Sequence, residues 1–297
     1  MDFVTKSYSS HQASYDAYAA NQPKNACAKT WLEANNLNNF RCAQMYQLSD
    51  PFLTLYPNTR WLTIGDGRYG CDAQYLQKKG AVVLPSDISD VLLKEAKNLG
   101  LINDYSTENA EHLSFDAEQF DFVYCKESYH HFPRPALALY EMLRVVKRGV
   151  VLLEPLDREI VPIHQRIFLS FKNTLKRFLG KPVMRHVFEE DGNYLFSVSK
   201  REFEKIALGL GFRHIIFKGI NDIYFPGMEC AQIDAGDATN KKWRRKQAFY
   251  DFFSKLGLVP YNLLFAAFVK QPLSDTEILF FKAQGYEVVE LPQNPYL

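Results

Sequence analysis

Residues 61–70, Trp-Leu-Thr-Ile-Gly-Asp-Gly-Arg-Tyr-Gly, decide the fold of this chain. The apolar run at 61–64 predicts a buried strand, and residues 72–79 predict the helix that follows it. Between them, Gly65, Gly67 and Gly70 have G-x-G-x-x-G spacing. Glycine allows positive φ and lets backbone approach a ligand closely, while a helix N-terminus presents free N–H groups. The stretch therefore predicts a strand-loop-helix unit that binds a ligand at its loop.

An acidic residue, Asp87, ends the next predicted strand, 22 residues after Gly65. A carboxylate at this point can accept hydrogen bonds from both hydroxyls of an adenosine ribose. The glycine spacing alone also occurs in ordinary turns, but with the strands, the helix and the acid it indicates an adenosine-cofactor site. The pattern fits both NAD and S-adenosylmethionine (SAM).

Short apolar runs alternate with helical patterns along the rest of the chain, which is typical of βαβ units and a parallel sheet. Further strands are predicted at 81–85, 105–107, 120–124, 150–153, 214–217 and 261–270, and further helices at 91–99, 136–146, 163–179 and 199–211. We expect an α/β, Rossmann-like fold in four segments. These are a helical cap (1–58), a cofactor-binding core (59–156), a lid or substrate insertion (157–198) and a C-terminal part with a helical insertion and edge strands (199–297).

Five segments resemble, in order and spacing, the motifs of class I SAM-dependent methyltransferases of the small-molecule type: WLTIGDGRYG, VVLPSDIS, ENAEHLSF, FDFVYCKESYHHF and RVVKRGVVLLEP. KREFEKIALGLGF resembles the late helix before that family's edge strands. The resemblance implies a mostly parallel seven-stranded sheet, SAM as cofactor and S-adenosyl-L-homocysteine as product. It also implies cofactor contacts from Gly65, Asp66, Gly67, Gly70, Asp87, Ile88, Asn109, Ala110, Glu111 and Glu127.

In that family the glycine loop passes the methionine part of SAM, the acid after the second strand binds the ribose, and the segment matching residues 109–111 holds the adenine. Two residues depart from the pattern. Thr63 stands where the family usually has an acid that contacts the amino group of SAM, and Asp66 is a candidate replacement. Asn109 replaces the usual aspartate, and its amide oxygen can still accept from the adenine amine.

The candidate catalytic residues lie in the loop after the fourth predicted strand, Cys-Lys-Glu-Ser-Tyr-His-His-Phe-Pro at 125–133. Methyl transfer to a hydroxyl requires alignment and the removal of a proton, and a histidine suits the role of base near neutral pH. His130 is the first candidate and His131 the second. The alternative is that both rings only shape the pocket. Since no third ligand follows at a recognisable spacing, we expect no metal site.

A basic stretch follows the fifth predicted strand, because residues 157–186 hold seven Lys or Arg and two acidic residues. Such a segment could bind an anionic acceptor. The candidate substrate-binding residues are Tyr129, Arg158, His164 and Tyr194. The alternative, favoured for most of these side chains, is a solvated charged helix face whose apolar residues pack inward: Ile163, Ile167, Phe168, Phe171 and Leu175.

Composition excludes several classes of protein. The chain has 35 Lys+Arg and 34 Asp+Glu, so it lacks the general positive charge that supports nucleic-acid binding, and we interpret the basic cluster at 241–246 as a solvated helix face. Its five cysteines have no C-x-x-C spacing, which argues against a disulfide framework and a zinc site. The apolar runs are too short to span a bilayer. We expect a soluble, cytoplasmic protein.

The sequence thus predicts a SAM-dependent methyltransferase that acts on a hydroxyl of a small polar, anionic or sugar-linked metabolite. Two other interpretations stay open. An NAD(P)-dependent oxidoreductase could use the same glycine loop, although a hydride-site signature is not evident. The other is a methyltransferase-like binding protein that has lost activity. It stays open because Thr63 departs from the family pattern.

Overall fold

The computed structural model describes residues 3–20, 22–33, 35–158, 160–181, 183, 186–189, 193–228, 231–233 and 236–296. Its helices are α1 (Phe3–Ala20), α2 (Gln22–Thr30), α3 (Leu37–Tyr46), α4 (Asp50–Leu55), α5 (Cys71–Lys78), α6 (Val91–Asn98), α7 (Pro135–Arg144), α8 (Ile163–Phe178), α9 (Lys200–Gly209), α10 (Ala238–Lys255) and α11 (Asp275–Ala283). Its strands are β1 (Arg60–Ile64), β2 (Val82–Asp87), β3 (Ser106–Thr107), β4 (Phe120–Lys126), β5 (Val146–Pro155), β6 (His214–Ile220), β7 (Leu263–Val269) and β8 (Glu287–Glu290).

The strands form one sheet in the order β3-β2-β1-β4-β5-β7-β6-β8. The first five strands pair in parallel, whereas β7 runs antiparallel between β5 and β6, and β8 pairs antiparallel at the edge. The register places Ile64 of β1 beside Ser86 of β2 and Cys125 of β4. The carboxyl ends of these three strands therefore meet where the strand order reverses, which is where open α/β sheets bind ligands.

Helices cover both faces of the sheet. On one face, Met142 of α7 and Phe203 of α9 pack with Val150 of β5 in one apolar cluster. On the other, Phe52 of α4 and Phe281 of α11 share a cluster with residues of β1, β4 and β7. Because β5 and β7 are covered on both sides, they read as continuous apolar runs rather than as alternating patterns.

The N-terminal helices lie over the carboxyl ends of the strands. α1 contacts α2 and α6, and the Ser89 hydroxyl donates to the carboxylate of Asp16 on α1 at 2.7 Å. Asn36 caps α3 by accepting from the Asn39 N–H. The side chains of Ser7 and Asn193 hydrogen-bond, so α1 also contacts the segment that follows α8.

The Rossmann-like α/β fold expected from the sequence is confirmed, with eight strands in place of seven. The additional strand, β8, follows α11, whose start carries a capping box between Ser274 and Glu277. Ser-x-x-Glu spacing was present in the sequence as a helix signal. Within the described residues, no helix combines the length and apolar character needed to cross a bilayer. The division into four segments stays a prediction.

The inward packing expected for the apolar residues of α8 is wrong for four of the five. Ile163, Ile167, Phe171 and Leu175 are exposed, whereas Phe168 is partly buried. The helix is held instead through its other face, where the Gln165 amide donates to the Gly257 carbonyl at 2.9 Å. Four charged residues of this insertion, Glu159, Arg185, Glu190 and Asp191, lie outside the described residues.

Candidate active site

The glycine loop is closely packed between β1 and α5. Gly65 and Gly70 have φ of +73° and +65°, a conformation that L side chains rarely adopt. A Cβ atom on Gly67 would lie 2.8 Å from Oδ2 of Asp87, and one on Gly65 would lie 2.3 Å from Cβ of Ser128. The predicted need for glycine therefore has a steric reason at Gly65 and Gly67 and a conformational reason at Gly65 and Gly70.

Asp87 is buried at the end of β2 and faces this loop. Its carboxylate accepts from the Gly67 N–H at 2.9 Å and from the Ser89 N–H at 2.9 Å. Burial raises the pKa of Asp87 to about 6 against the lowering effect of these backbone N–H groups. A fixed, buried carboxylate beside side-chain-free backbone can accept the two hydroxyls of a ribose.

A cavity borders Asp87 under α1. Helix α1 supplies Tyr8, His11 and Tyr15 to its wall. The strand ends and loops supply Gly65, Ile88, Glu108, Ala110, Ser128, His131, Phe132 and Asn193. A carboxylate at one end and apolar side chains such as Ile88 and Phe132 elsewhere give the cavity the chemistry of a nucleoside site.

Only one residue of the predicted adenine segment at 109–111 lines this cavity. Ala110 lines the cavity, whereas the buried Glu111 carboxylate accepts from the Arg134 N–H and Nε at 2.7 and 2.6 Å. The Asn109 side-chain oxygen accepts from the Glu111 N–H and shapes the turn. Glu108, which the sequence analysis missed, lines the cavity. The adenine contacts of Asn109 and Glu111 stay predictions.

Asp66, the candidate replacement for the acid missing at Thr63, has structural partners. Its carboxylate accepts from the Thr63 hydroxyl at 2.8 Å and from the N–H groups of Asp72 and Ala73 at 3.1 and 2.9 Å. These bonds cap the first turn of α5. Burial, followed by the neighbouring Asp72, raises the pKa of Asp66. The residue borders a second cavity, and its contact with the amino group of SAM stays a prediction.

That second cavity continues from the first and shares Tyr15, Gly65, Ser128 and His131 with it. Glu127 stands in its wall with φ of +49°. Burial would raise the pKa of Glu127, but Lys126, Arg41 and Arg68 hold it at about 2. Glu127 is thus an ionised carboxylate within a cationic setting, able to face an ammonium group.

His130 forms a pair with a carboxylate that the sequence analysis missed. His130 Nδ1 lies 2.5 Å from Oε2 of Glu154, which is fully buried at the end of β5. Glu154 Oε1 accepts from the N–H groups of Ser128 and Tyr129 at 3.2 and 3.0 Å. Burial alone would lower the pKa of His130, but Glu154 outweighs burial and raises it above 6.5. The sequence did carry a signal for Glu154, because this acidic residue directly follows the apolar run VVLL at 150–153.

His131, the second candidate, pairs with a different carboxylate. Its Nδ1 lies 2.8 Å from Oε1 of Glu189, and its ring centroid lies 3.9 Å from that of His130. Burial would raise the pKa of Glu189, but His131 outweighs burial and lowers it. Each of the tandem histidines therefore has its own carboxylate partner. Within the described parts of the chain, no group of three or more His, Cys, Asp and Glu side chains could hold a metal ion.

A third cavity lies beside the two histidines and Glu127. Its wall includes Arg41 and Arg68, Trp31 and Tyr18, and Asp222 and Tyr224 of the loop after β6. Arg41 forms an ion pair with Asp222, and the Arg68 guanidinium lies 4.9 Å from the Trp31 ring centroid. This cavity offers space for a second molecule next to His130.

The predicted substrate-binding residues do not converge on this cavity. Tyr129 is buried in the core beside Phe203, and His164 Nε2 contacts the Gly257 carbonyl at 2.8 Å. Arg158 borders a cavity between α8 and α10. The Tyr194 hydroxyl lies 3.3 Å from Nδ1 of His186. Their substrate contacts stay predictions.

Comparisons with known proteins were consistent with this geometry. Residues 62–153 match a family model described as a methyltransferase domain. A ubiquinone biosynthesis O-methyltransferase from Coxiella burnetii is 30% identical over 118 residues, 38% of this chain and 47% of that protein. A 2-methyl-6-phytyl-1,4-hydroquinone methyltransferase from Synechocystis is 30% identical over 140 residues, 46% of this chain and 41% of that protein. The chain spans less than half the length of these curated relatives.

Two solved structures share the fold. The methyltransferase in complex with the Trm112 activator from Haloferax volcanii has a TM-score of 0.52 at 14% identity, covering 89% of this chain and 98% of that one. Magnesium protoporphyrin IX methyltransferase from Synechocystis, with bound SAM, has a TM-score of 0.50 at 14% identity, covering 88% and 97%. At these identities the comparison establishes the fold.

Proposed function

We propose that this chain, whose residues 62–153 match the methyltransferase domain model, transfers a methyl group from SAM to a hydroxyl of a small acceptor. The observation that carries the choice of a hydroxyl is the His130–Glu154 pair beside the third cavity. An oxygen acceptor must lose a proton during transfer, and this pair provides a base with a fixed orientation.

The described residues fit SAM. Asp87 would hold the ribose hydroxyls, Ile88, Ala110 and Phe132 would enclose the adenine, and the glycine loop would lie along the methionine part. Glu127 would face the amino group, since Asp66 is engaged in capping α5. Bound SAM supplies an electrophilic methyl group on a sulfonium.

The chain's own residues would then position the acceptor and take up its proton. The acceptor would lie in the third cavity, and its hydroxyl proton would pass to Nε2 of His130. Nδ1 of His130 already faces Glu154, so the imidazolium formed would be stabilised by a buried carboxylate. The raised pKa makes His130 a stronger base than free histidine.

The named activity of one relative supports this proposal. The Coxiella burnetii protein is an O-methyltransferase of ubiquinone biosynthesis. We therefore favour a hydroxylated metabolite as acceptor. The charged and aromatic groups of the third cavity, among them Arg41, Arg68 and Tyr224, suit a polar or anionic ring bearing that hydroxyl.

Calorimetry with SAM, S-adenosyl-L-homocysteine and NADH tests the cofactor, and incubation of metabolite extracts with methyl-labelled SAM tests the reaction. We expect SAM and its product to bind, NADH not to bind, and a labelled methyl ether to form. His130→Ala should abolish most turnover while leaving SAM affinity unchanged. The exposed His112 provides a matched control, because His112→Ala should leave both unchanged. Binding of NADH in place of SAM would refute the proposal.

A further inference from the structure

Helix α8 presents an apolar stripe to solvent. Its most exposed large apolar residues are Ile163, Ile167, Phe171 and Phe178, which are 78%, 67%, 69% and 84% exposed. Spacings of four, four and seven residues place them on one side of the helix. A 16-residue helix is about 24 Å long, so the stripe runs along most of one side of α8.

The same helix carries only positive charge. Arg166, Lys172, Lys176 and Arg177 lie within α8, and it contains no Asp or Glu. Arg166 and Arg177 are themselves exposed, on the edge of the apolar stripe. An exposed apolar stripe bordered by cations is the pattern of helices that lie in a membrane interface.

The end of α10 extends this surface. Phe249, Phe252, Leu256 and Leu258 are exposed there, although α10 is otherwise a polar helix. The carbonyl of Gly257 accepts from the Gln165 amide at 2.9 Å and contacts His164 Nε2 at 2.8 Å, which places these side chains beside the start of α8. We call the exposed apolar side chains of α8 and of residues 249–258 the α8/α10 surface.

We propose that the α8/α10 surface docks on an anionic lipid bilayer. Cations beside the stripe would contact lipid phosphates while the apolar side chains enter the acyl boundary. Charge argues against a second copy of the chain, because pairing this surface with itself would bring two sets of like charges together. The six basic residues of α10, against the single acidic Asp251, add to the positive field: Lys241, Lys242, Arg244, Arg245, Lys246 and Lys255.

Docking there would bring the active site close to the lipid. A cavity lies between α8 and α10 and shares Asp222 and Tyr224 with the third cavity beside His130. An acceptor with an apolar tail could therefore reach the base from the bilayer side. This assignment of an amphiphilic acceptor rests on the proposed function, whereas bilayer docking does not.

Co-sedimentation of the full chain with vesicles tests the docking directly. We expect binding to vesicles of phosphatidylcholine with 30% phosphatidylglycerol, weaker binding in 0.5 M NaCl, and little binding to phosphatidylcholine alone. Because the altered side chains are exposed, Ile167→Asn with Phe171→Asn should keep the fold and weaken binding more than about tenfold. Arg166→Gln with Arg177→Gln should weaken it roughly 30-fold.

Matched controls come from α9 and α11, which lie outside the α8/α10 surface. Leu279→Asn alters an equally exposed apolar residue on α11, and Lys205→Gln with Lys282→Gln removes two exposed cations, so both should leave vesicle binding unchanged. Equal loss in the controls, or full binding by the α8 variants, would overturn the proposal. A dimer detected by light scattering would also overturn it, if the α8 variants convert that dimer to a monomer while vesicle binding persists.

Vesicle binding without turnover on any hydroxylated lipid would remove the amphiphilic acceptor and leave the docking in place. Turnover on soluble acceptors without vesicle binding would remove the docking and leave the methyltransferase activity in place. The two proposals can therefore fail separately.

Discussion

Replacing Glu154 with glutamine would keep the size of this buried side chain and remove its charge. In the native protein its two oxygens accept from the N–H groups of Ser128 and Tyr129 and from Nδ1 of His130. A hydrogen bond to a charged group is worth about 1.5–3 kcal/mol, and one pKa unit corresponds to about 1.4 kcal/mol. The pKa of His130 should therefore fall by about 1–2 units in Glu154→Gln.

The pH dependence of kcat/KM measures this shift. His130 accepts a proton only when neutral, so native activity should fall as the pH drops through its raised pKa. In Glu154→Gln this acid limb should move to lower pH by about 1–2 units, since a lower pKa keeps the ring neutral further into acid. The plateau of kcat should drop roughly 10- to 100-fold, because the imidazolium loses its carboxylate partner.

Glu189→Gln is the matched control, since Glu189 pairs with His131 rather than His130. It should move the acid limb far less than Glu154→Gln does, because Glu189 contributes less than Glu154 to the raised pKa of His130. Thermal unfolding should accompany both measurements, because the amide nitrogen introduced by Glu154→Gln would meet backbone N–H donors and cost about 1–3 kcal/mol of stability. A folded Glu154→Gln protein with an unchanged acid limb would refute the role of this pair.

Three further changes have outcomes that follow from the geometry. Asp87→Ala should weaken SAM binding by about 1–3 kcal/mol in calorimetry, and native affinity should fall as the pH drops below about 6, where the Asp87 carboxyl is protonated; unchanged affinity would remove Asp87 from the site. Gly67→Ala should weaken SAM binding at least about tenfold, because its Cβ would lie 2.8 Å from Asp87 Oδ2, whereas Gly209→Ala, which has open space, should bind normally. Phe281→Ala should lower the free energy of unfolding by about 3–5 kcal/mol in urea titration, since its ring is buried against Phe52; a loss under about 1 kcal/mol would mean that α11 is not part of the core.

The sequence was sufficient for the parts of the fold that local patterns determine. The apolar run at 61–64, the glycine spacing and Asp87 lie close together in the chain, and their structure follows from strand periodicity and glycine sterics. The loop at 125–133 was found for the same reason, because it directly follows an apolar strand. Ser274 and Glu277 carried a helix-start signal that would have predicted α11.

The remaining features depend on contacts between distant residues. Glu154 and His130 are 24 residues apart in sequence. They become partners only because β4 and β5 are neighbours in the sheet. The pattern of α8 gave an apolar and a charged face, but the face that packs inward is set by Gly257, more than 90 residues later. Helical periodicity alone could not show which face of α8 packs inward.

A crystal structure of the chain with S-adenosyl-L-homocysteine tests the central claim most directly. The account predicts both ribose hydroxyls within about 3 Å of the Asp87 carboxylate and the aminocarboxyl tail along Gly65 and Gly67. A nucleoside bound elsewhere, or a ribose turned away from Asp87, would contradict it.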